Sequence, residues 1–271
     1  MSSAAPTLDR GQLRQLALIS AGALAVFLIF RFLPTGTNLN HMDFRVNAKN
    51  SIDFCDPLNP QFIPVVAVAS PVTMTLHGDA PLAAGRESRF TLTLKTASGK
   101  VIAPQDLILA HTKLLHLLIV DPTLSDYQHV HPEAARNPGE WTFAFKPRRS
   151  GLYRVFADFT PAATARGLYA SADLTVEPAA ATTGQTAAAT NTANAEAFIR
   201  AERNGYRFSL TPATPAIRAG KPVDLKFAIV RGDGGSVPME RAMGVFAHLV
   251  AFDEARSGFA HLHSMATDVT Q

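Results

Sequence analysis

One stretch of this chain, residues 111–132 (HTKLLHLLIVDPTLSDYQHVHP), is written twice, and its copy near residues 243–263 aligns without gaps. His116 pairs with His248, Leu117 with Leu249, and Asp121 with Asp253. Tyr127 pairs with Phe259, His129 with His261, and His131 with His263. Upstream, PLAAG ending at Gly85 matches PAIRAG ending at Gly220, and a turn glycine, Gly99 or Gly234, follows the next strand in each copy. A tandem duplication is the simplest account. Whatever the chain folds into must therefore bury the same pattern twice.

The pattern is all-β. Residues 115–120 form a short apolar run rich in branched side chains, stopped by Asp121-Pro122, which predicts a strand buried on both faces. Residues 127–131 alternate, so Tyr127, His129 and His131 share one face. Phe90, Leu92 and Leu94 alternate in a second strand, and Trp141, Phe143 and Phe145 in a third. Two more strands follow near 152–159 and 168–176. About seven short strands in some hundred residues, without helical periodicity, predict an immunoglobulin-like β-sandwich over 65–178. Phe90, Leu92, Leu117, Ile119, Trp141, Phe143, Val155 and Leu174 are its expected core.

His-x-His on a strand sets two imidazoles on one face, roughly 7 Å apart at the backbone. If the two strands are neighbours, His116 joins His129 and His131, with His111 as a fourth candidate. The copy offers His248, His261 and His263, with the Met243 thioether opposite His111. Neutral imidazole suits Cu(II), Zn(II) and Ni(II), and an added thioether favours copper over zinc. The competing reading is structural: a strand-end histidine often only hydrogen-bonds a backbone carbonyl, and duplication copies structural residues too.

The rest of the chain places these repeats. Residues 16–30 (LALISAGALAVFLIF) are apolar and Arg31 follows. Two readings stand, a cleaved signal peptide or an uncleaved signal anchor. No A-x-A site follows, and bulky Phe30, Phe32 and Leu33 lie where small residues would be needed, so the anchor is expected. Arg10 and Arg14 put the N-terminus in the cytoplasm and the remainder outside, in the periplasm of a bacterial inner-membrane protein. The expected division is an N-terminal tip and transmembrane helix (1–34), an extended tether (35–64), a first immunoglobulin-like domain (65–178), an Ala/Thr linker (179–197) and a partial second domain (198–271). The end of the tether, FCDPLNPQFIP, is dense enough in apolar residues and proline to lie against the first domain. Cys55 is the only cysteine, so an intramolecular disulfide is excluded and a buried, inert thiol is expected. The second copy lacks counterparts of the strands at 140–176. Its half-sandwich is either truncated or completed by another molecule.

The formal charge of +3 is spread without a basic stripe, which argues against nucleic acid as a partner. No Gly-x-Ser-x-Gly, phosphate loop or HExxH occurs, so no enzyme is expected.

HTKLLHLLIVDPTLSDYQHVHPE followed by GEWTFAFKPRRSGLYRVFADFTP resembles an uncharacterised group of bacterial membrane-anchored envelope proteins, whose immunoglobulin-like domains carry H-L-[LV]-[IV]-V…L-x-x-[YF]-x-H-[VL]-H-P. The resemblance covers about 52–178 well and 205–263 more weakly, and Ser264 replaces the proline after the last histidine. It implies an extracytoplasmic sandwich often found near metal-handling genes. A looser similarity, in fold class and histidine use, runs to CopC-type copper-resistance sandwiches. Two functions follow as expectations: a membrane-tethered periplasmic metal-binding protein, for copper, or a non-metal structural or interaction module with an envelope partner.

Overall fold

A computed structural model describes residues 9–33, 36–45, 62–67, 69–179, 199–214, 217–218, 220–241 and 244–264. Cys55, Met243 and the 179–197 linker, apart from Ala179, lie outside these residues. The chain divides into two compact units, residues 1–38 and 39–271.

Among the described residues the first unit has one helix, α1 (Arg10–Phe32). Asp9 caps it: its side chain accepts from Gln12 N–H at 2.8 Å, and the Gln12 side chain accepts from Asp9 N–H at 3.0 Å. At 1.5 Å per residue its 23 residues reach about 35 Å, enough for the hydrocarbon core of a bilayer. No residue of it is buried.

Among the described residues the second unit is built of β-strands, with short 3-10 helices at His41–Phe44 and Pro104–Asp106. In its first repeat run β1 (Val72–Gly78), β2 (Ser88–Thr96), β3 (Leu107–Ile108), β4 (Leu115–Val120), β5 (Tyr127–Val130), β6 (Glu133–Ala134), β7 (Glu140–Phe145), β8 (Gly151–Pro161) and β9 (Leu168–Val176). One sheet has the order β1-β2-β7-β6; the other places β8 between β4 and β9, with β5 outside β4. These are the two sheets of an immunoglobulin-like sandwich. Alternation explains the core. Phe90, Leu92, Leu94, Trp141, Phe143 and Phe145 of one sheet meet Leu115, Leu117, Ile119, Val155 and Phe159 of the other. Of the expected core only Leu174 is half-buried, packed at its margin.

The corner before β8 is fixed by Tyr153. Its hydroxyl donates to Asp126 Oδ2 at 2.6 Å and accepts from Arg149 N–H at 3.2 Å. This ties the strand to the chain four residues upstream, as in the tyrosine corner of immunoglobulin folds. Trp141, 1% exposed, donates its indole N–H to the Ile102 carbonyl at 3.2 Å.

The second repeat forms a sheet of β10 (Ile199–Arg203), β11 (Tyr206–Pro212) and β12 (Leu225–Arg231), and a hairpin of β13 (His248–Phe252) and β14 (Phe259–His263). The sheet leaves Leu225, Phe227 and Val230 exposed. The hairpin does not. It lies on the outer face of the β4–β8–β9 sheet, where Phe259 and the half-buried Val250 and Phe252 pack with Leu118, Val120 and Phe156. That is why every residue of β4 is buried. The first repeat thus covers part of the second.

Residues 35–64, expected as an extended tether, are partly docked. Leu39 and Phe44 join the sandwich core, and Asp43 accepts from Ser98 Oγ at 2.8 Å and pairs with Lys100 at 3.1 Å. Further on, Ile63 bridges to Phe259, with N–H···O distances of 2.8 and 3.1 Å in the two directions. Val65 is buried beside it. The tether's described end therefore lies on both repeats. Gly258 permits this approach, because a Cβ there would overlap the Ile63 carbonyl oxygen.

Candidate metal centre

Both hairpins present histidines by the same construction. In the first, Leu118 lies opposite His129 and Val120 opposite Tyr127, a register that continued by one pair sets His116 opposite His131. In the second, His248 lies opposite His263, Val250 opposite His261, and Phe252 opposite Phe259. Each turn is held by the aspartate that ends the first strand. Asp121 accepts from the N–H of Ser125 and Asp126, both at 2.8 Å, and Asp253 from Ser257 N–H at 2.7 Å. Leu124 and Arg256, at matching places, both take positive φ, 58° and 51°. Burial works against the Asp121 charge, but hydrogen bonds from Asp126, Thr123 and Ser125 hold its carboxyl below the usual range.

Because side chains alternate, His116, Leu118 and Val120 share the outer face of β4, and Tyr127, His129 and His131 that of β5. His116, His129 and His131 bring one ligand atom each to within 4.8 Å of one another, and so do His248, His261 and His263. Their ring centroids are 4.7–5.3 Å apart in the first group and 4.6–5.8 Å in the second. The groups are not separate. His116 lies 6.0 Å from His261, His129 lies 6.2 Å from His248, and His129 lies 5.6 Å from His261.

His111 departs from its expected place as a fourth member of the first group. Its ring stacks on His263 of the second repeat, with centroids 3.6 Å apart, and lies 6.3 Å from His116. The turn carrying it explains this. Ala110 and Lys113 exchange two backbone hydrogen bonds, 2.9 and 3.0 Å, while His111 and Thr112 between them have φ of 48° and 70°. Two successive positive φ values make a type I′ turn, whose usual occupants are Asn-Gly. A histidine followed by a β-branched residue is strained there. The strained turn directs the imidazole toward the neighbouring repeat. Its counterpart Met243 lies outside the described residues.

The surrounding hydrogen bonds fix tautomers. His116 donates its Nε2–H to the Ala110 carbonyl at 2.9 Å, so the neutral ring keeps a lone pair on Nδ1, which lies 3.1 Å from His129 Nε2. His261 donates Nδ1–H to Asp158 Oδ2 at 3.2 Å, leaving Nε2 as its ligand atom. Metal-binding histidines are held this way, by a carbonyl or carboxylate on the far nitrogen. His131 Nε2, His261 Nε2 and His263 Nε2 are buried with no hydrogen-bond partner among the described residues. Burial, reinforced by neighbouring imidazoles, pushes His129 and His263 down to about 3 and His131 to about 4. His111 and His116 are lowered too, chiefly by burial. Near neutral pH these five rings are uncharged, the form that binds a metal.

Asp158 and the Ala110 carbonyl were not singled out by the sequence reading. A signal existed. The outer face of β8 carries Arg154, Phe156 and Asp158, and a phenylalanine between two charges on a face turned from the core implies that something covers it. The cover is the second repeat: Arg154 donates to the Arg256 carbonyl at 3.1 Å, Phe259 packs on Phe156, and His261 meets Asp158.

Fold and cluster together define a duplicated immunoglobulin-like protein with a histidine hairpin in each repeat. The family described as "Domain of unknown function (DUF8832)" matches residues 67–177 and 201–271, and the chain belongs to it. No curated protein matches. Among solved structures, the chain is similar to the superoxide reductase (neelaredoxin) of Ignicoccus hospitalis, at 13% identity and TM-score 0.27 over 39% of this chain and 80% of that one. It is similar to the CARDB domain of a Pyrococcus furiosus protein in complex with di-metal ions, at 15% identity and TM-score 0.22 over 45% and 96%. An engineered protein matches at 17% identity and TM-score 0.26 over 42% of this chain and 21% of that one. These overlaps are slight.

Proposed function

We propose that this is a membrane-tethered, extracytoplasmic metal-binding protein of the bacterial envelope that holds copper and acts as an accessory or buffering protein. The observation that carries the reading is the pair of three-histidine groups, each with its ligand atoms within 4.8 Å. Donor chemistry supports it. Among the described residues the donors are imidazoles, which suit copper, zinc or nickel rather than magnesium or calcium, and copper heads the affinity order for such sites. The apolar helix Arg10–Phe32 supports the tether, with the arginines before the apolar segment on the cytoplasmic side. The resemblance to membrane-anchored envelope proteins points the same way. The test is metal analysis and titration calorimetry on the full chain, purified in detergent without a histidine tag. Saturable binding of Cu(II) is expected, and it should be lost when His129, His131, His261 and His263 all become alanine. Absence of saturable binding by any first-row ion would leave the histidines as braces of the fold.

A further inference from the structure

We propose that the two histidine groups are the halves of one binuclear centre, completed only when the second repeat docks on the first, and holding two first-row metal ions with a small anion between them. This rests on the metal-binding reading above.

Three observations carry it. The first is distance. The ring separations across the repeats, 5.6, 6.0 and 6.2 Å, overlap those within a group, which reach 5.8 Å. Two ions held by such groups would be close neighbours.

The second is the contact pattern. His116 meets His261 while His129 meets His248, so each repeat offers the same two positions and receives them in exchange. His129 and His261, which are counterparts, meet each other between these pairs. That is the arrangement of an isologous interface, in which residue i meets j and j meets i. The two groups therefore face one another.

The third is that the second group depends on the first repeat for support. His261 of the second repeat is held by Asp158 of the first, and His111 of the first repeat stacks on His263 of the second. The second group lacks these surroundings when the repeats are apart.

Charge then specifies the remaining ligand. Among the described residues both groups consist of imidazole alone, and the one carboxylate shown hydrogen-bonded to the cluster is Asp158. Two divalent ions on neutral ligands with one nearby carboxylate are under-neutralised, and a small anion, hydroxide in water, fits between them.

The test uses the full chain in detergent, stripped with a chelator and titrated with Cu(II), read by calorimetry and electron paramagnetic resonance. The expected result is two equivalents per chain, a half-field transition from coupled ions, and spin intensity well below two per chain. His261→Ala should abolish the half-field transition while about one equivalent still binds. Asp158→Asn, which keeps the bulk, should weaken the second equivalent more than the first. Two equivalents giving two isolated Cu(II) signals would overturn the proposal, as would a single ion shared by all six rings. Either result leaves metal binding itself standing, whereas no saturable binding removes both readings.

Discussion

Alanine at Gly258 would place a Cβ over the Ile63 carbonyl oxygen, 2.6 Å from its carbon and 2.8 Å from Pro64 Cα. All three atoms are backbone, so no side chain can swing away to make room. The 62–67 segment must leave β14, and three hydrogen bonds go with it: Ile63 N–H to Phe259 O at 2.8 Å, Phe259 N–H to Ile63 O at 3.1 Å, and Val66 N–H to Ser257 O at 2.8 Å. At about 1 kcal/mol net each, they represent about 3 kcal/mol, or roughly a hundredfold in the local opening equilibrium. Val65, only 4% exposed, would also lose its cover. Native-state hydrogen exchange measures this directly. In Gly258→Ala, the Ile63 and Val66 amides should exchange roughly a hundred times faster, while Leu117 and Ile119 in β4 keep their protection. Unchanged protection at Ile63 and Val66 would refute the reasoning. It would mean that the segment is not held on the hairpin through this glycine.

Four further outcomes are expected. Trp141→Ala should cost about 3–5 kcal/mol in denaturant unfolding, since it empties a fully enclosed site between the sheets; a loss below about 1 kcal/mol would contradict its burial. Thr112→Gly should raise the melting temperature slightly, by relieving a φ of 70° at a β-branched residue, and a fall would show that the turn is not strained. Asp158→Asn should lower metal affinity by about 10–100-fold with the fold intact by circular dichroism, whereas His77→Ala should leave affinity unchanged. Metal-free protein should lose stability as pH falls from about 6.5 toward 4. The unfolded chain takes up protons near 6.5, whereas folded His131 does so near 4 and His129 and His263 near 3, so acid favours unfolding over that window. Denaturation midpoints that stay level between pH 7 and 4 would count against buried neutral imidazoles.

Features set by local periodicity could be read from the sequence, and features set by tertiary contact could not. β4 was legible because a branched apolar run broken only by His116 has almost no polar face to offer solvent, and the structure buries all six of its residues. β2 and β7 were legible because strict alternation fixes which side chains face inward. The cross-strand pairing of each histidine set followed from a fixed period of two and a short turn. The docking of one hairpin on another did not follow, because it depends on which outer surface of the first repeat is apolar enough to receive it. That surface mixes Leu118 and Phe156 with Arg154 and Asp158; a phenylalanine between two charges signals a cover but not which segment supplies it. The orientation of His111 was hidden for a different reason. Positive φ is expected of glycine or asparagine, and His-Thr gives no warning of it.

The exchange of contacts between the hairpins has a consequence for assembly. A chain with only one repeat could build the same six-histidine arrangement only by pairing with a second molecule, and the arrangement would fall apart on dilution. Joining the two copies through residues 179–197 turns that encounter into an intramolecular one, at an effective concentration of millimolar order set by the linker. Few copies per cell would then suffice, because each carries its partner with it.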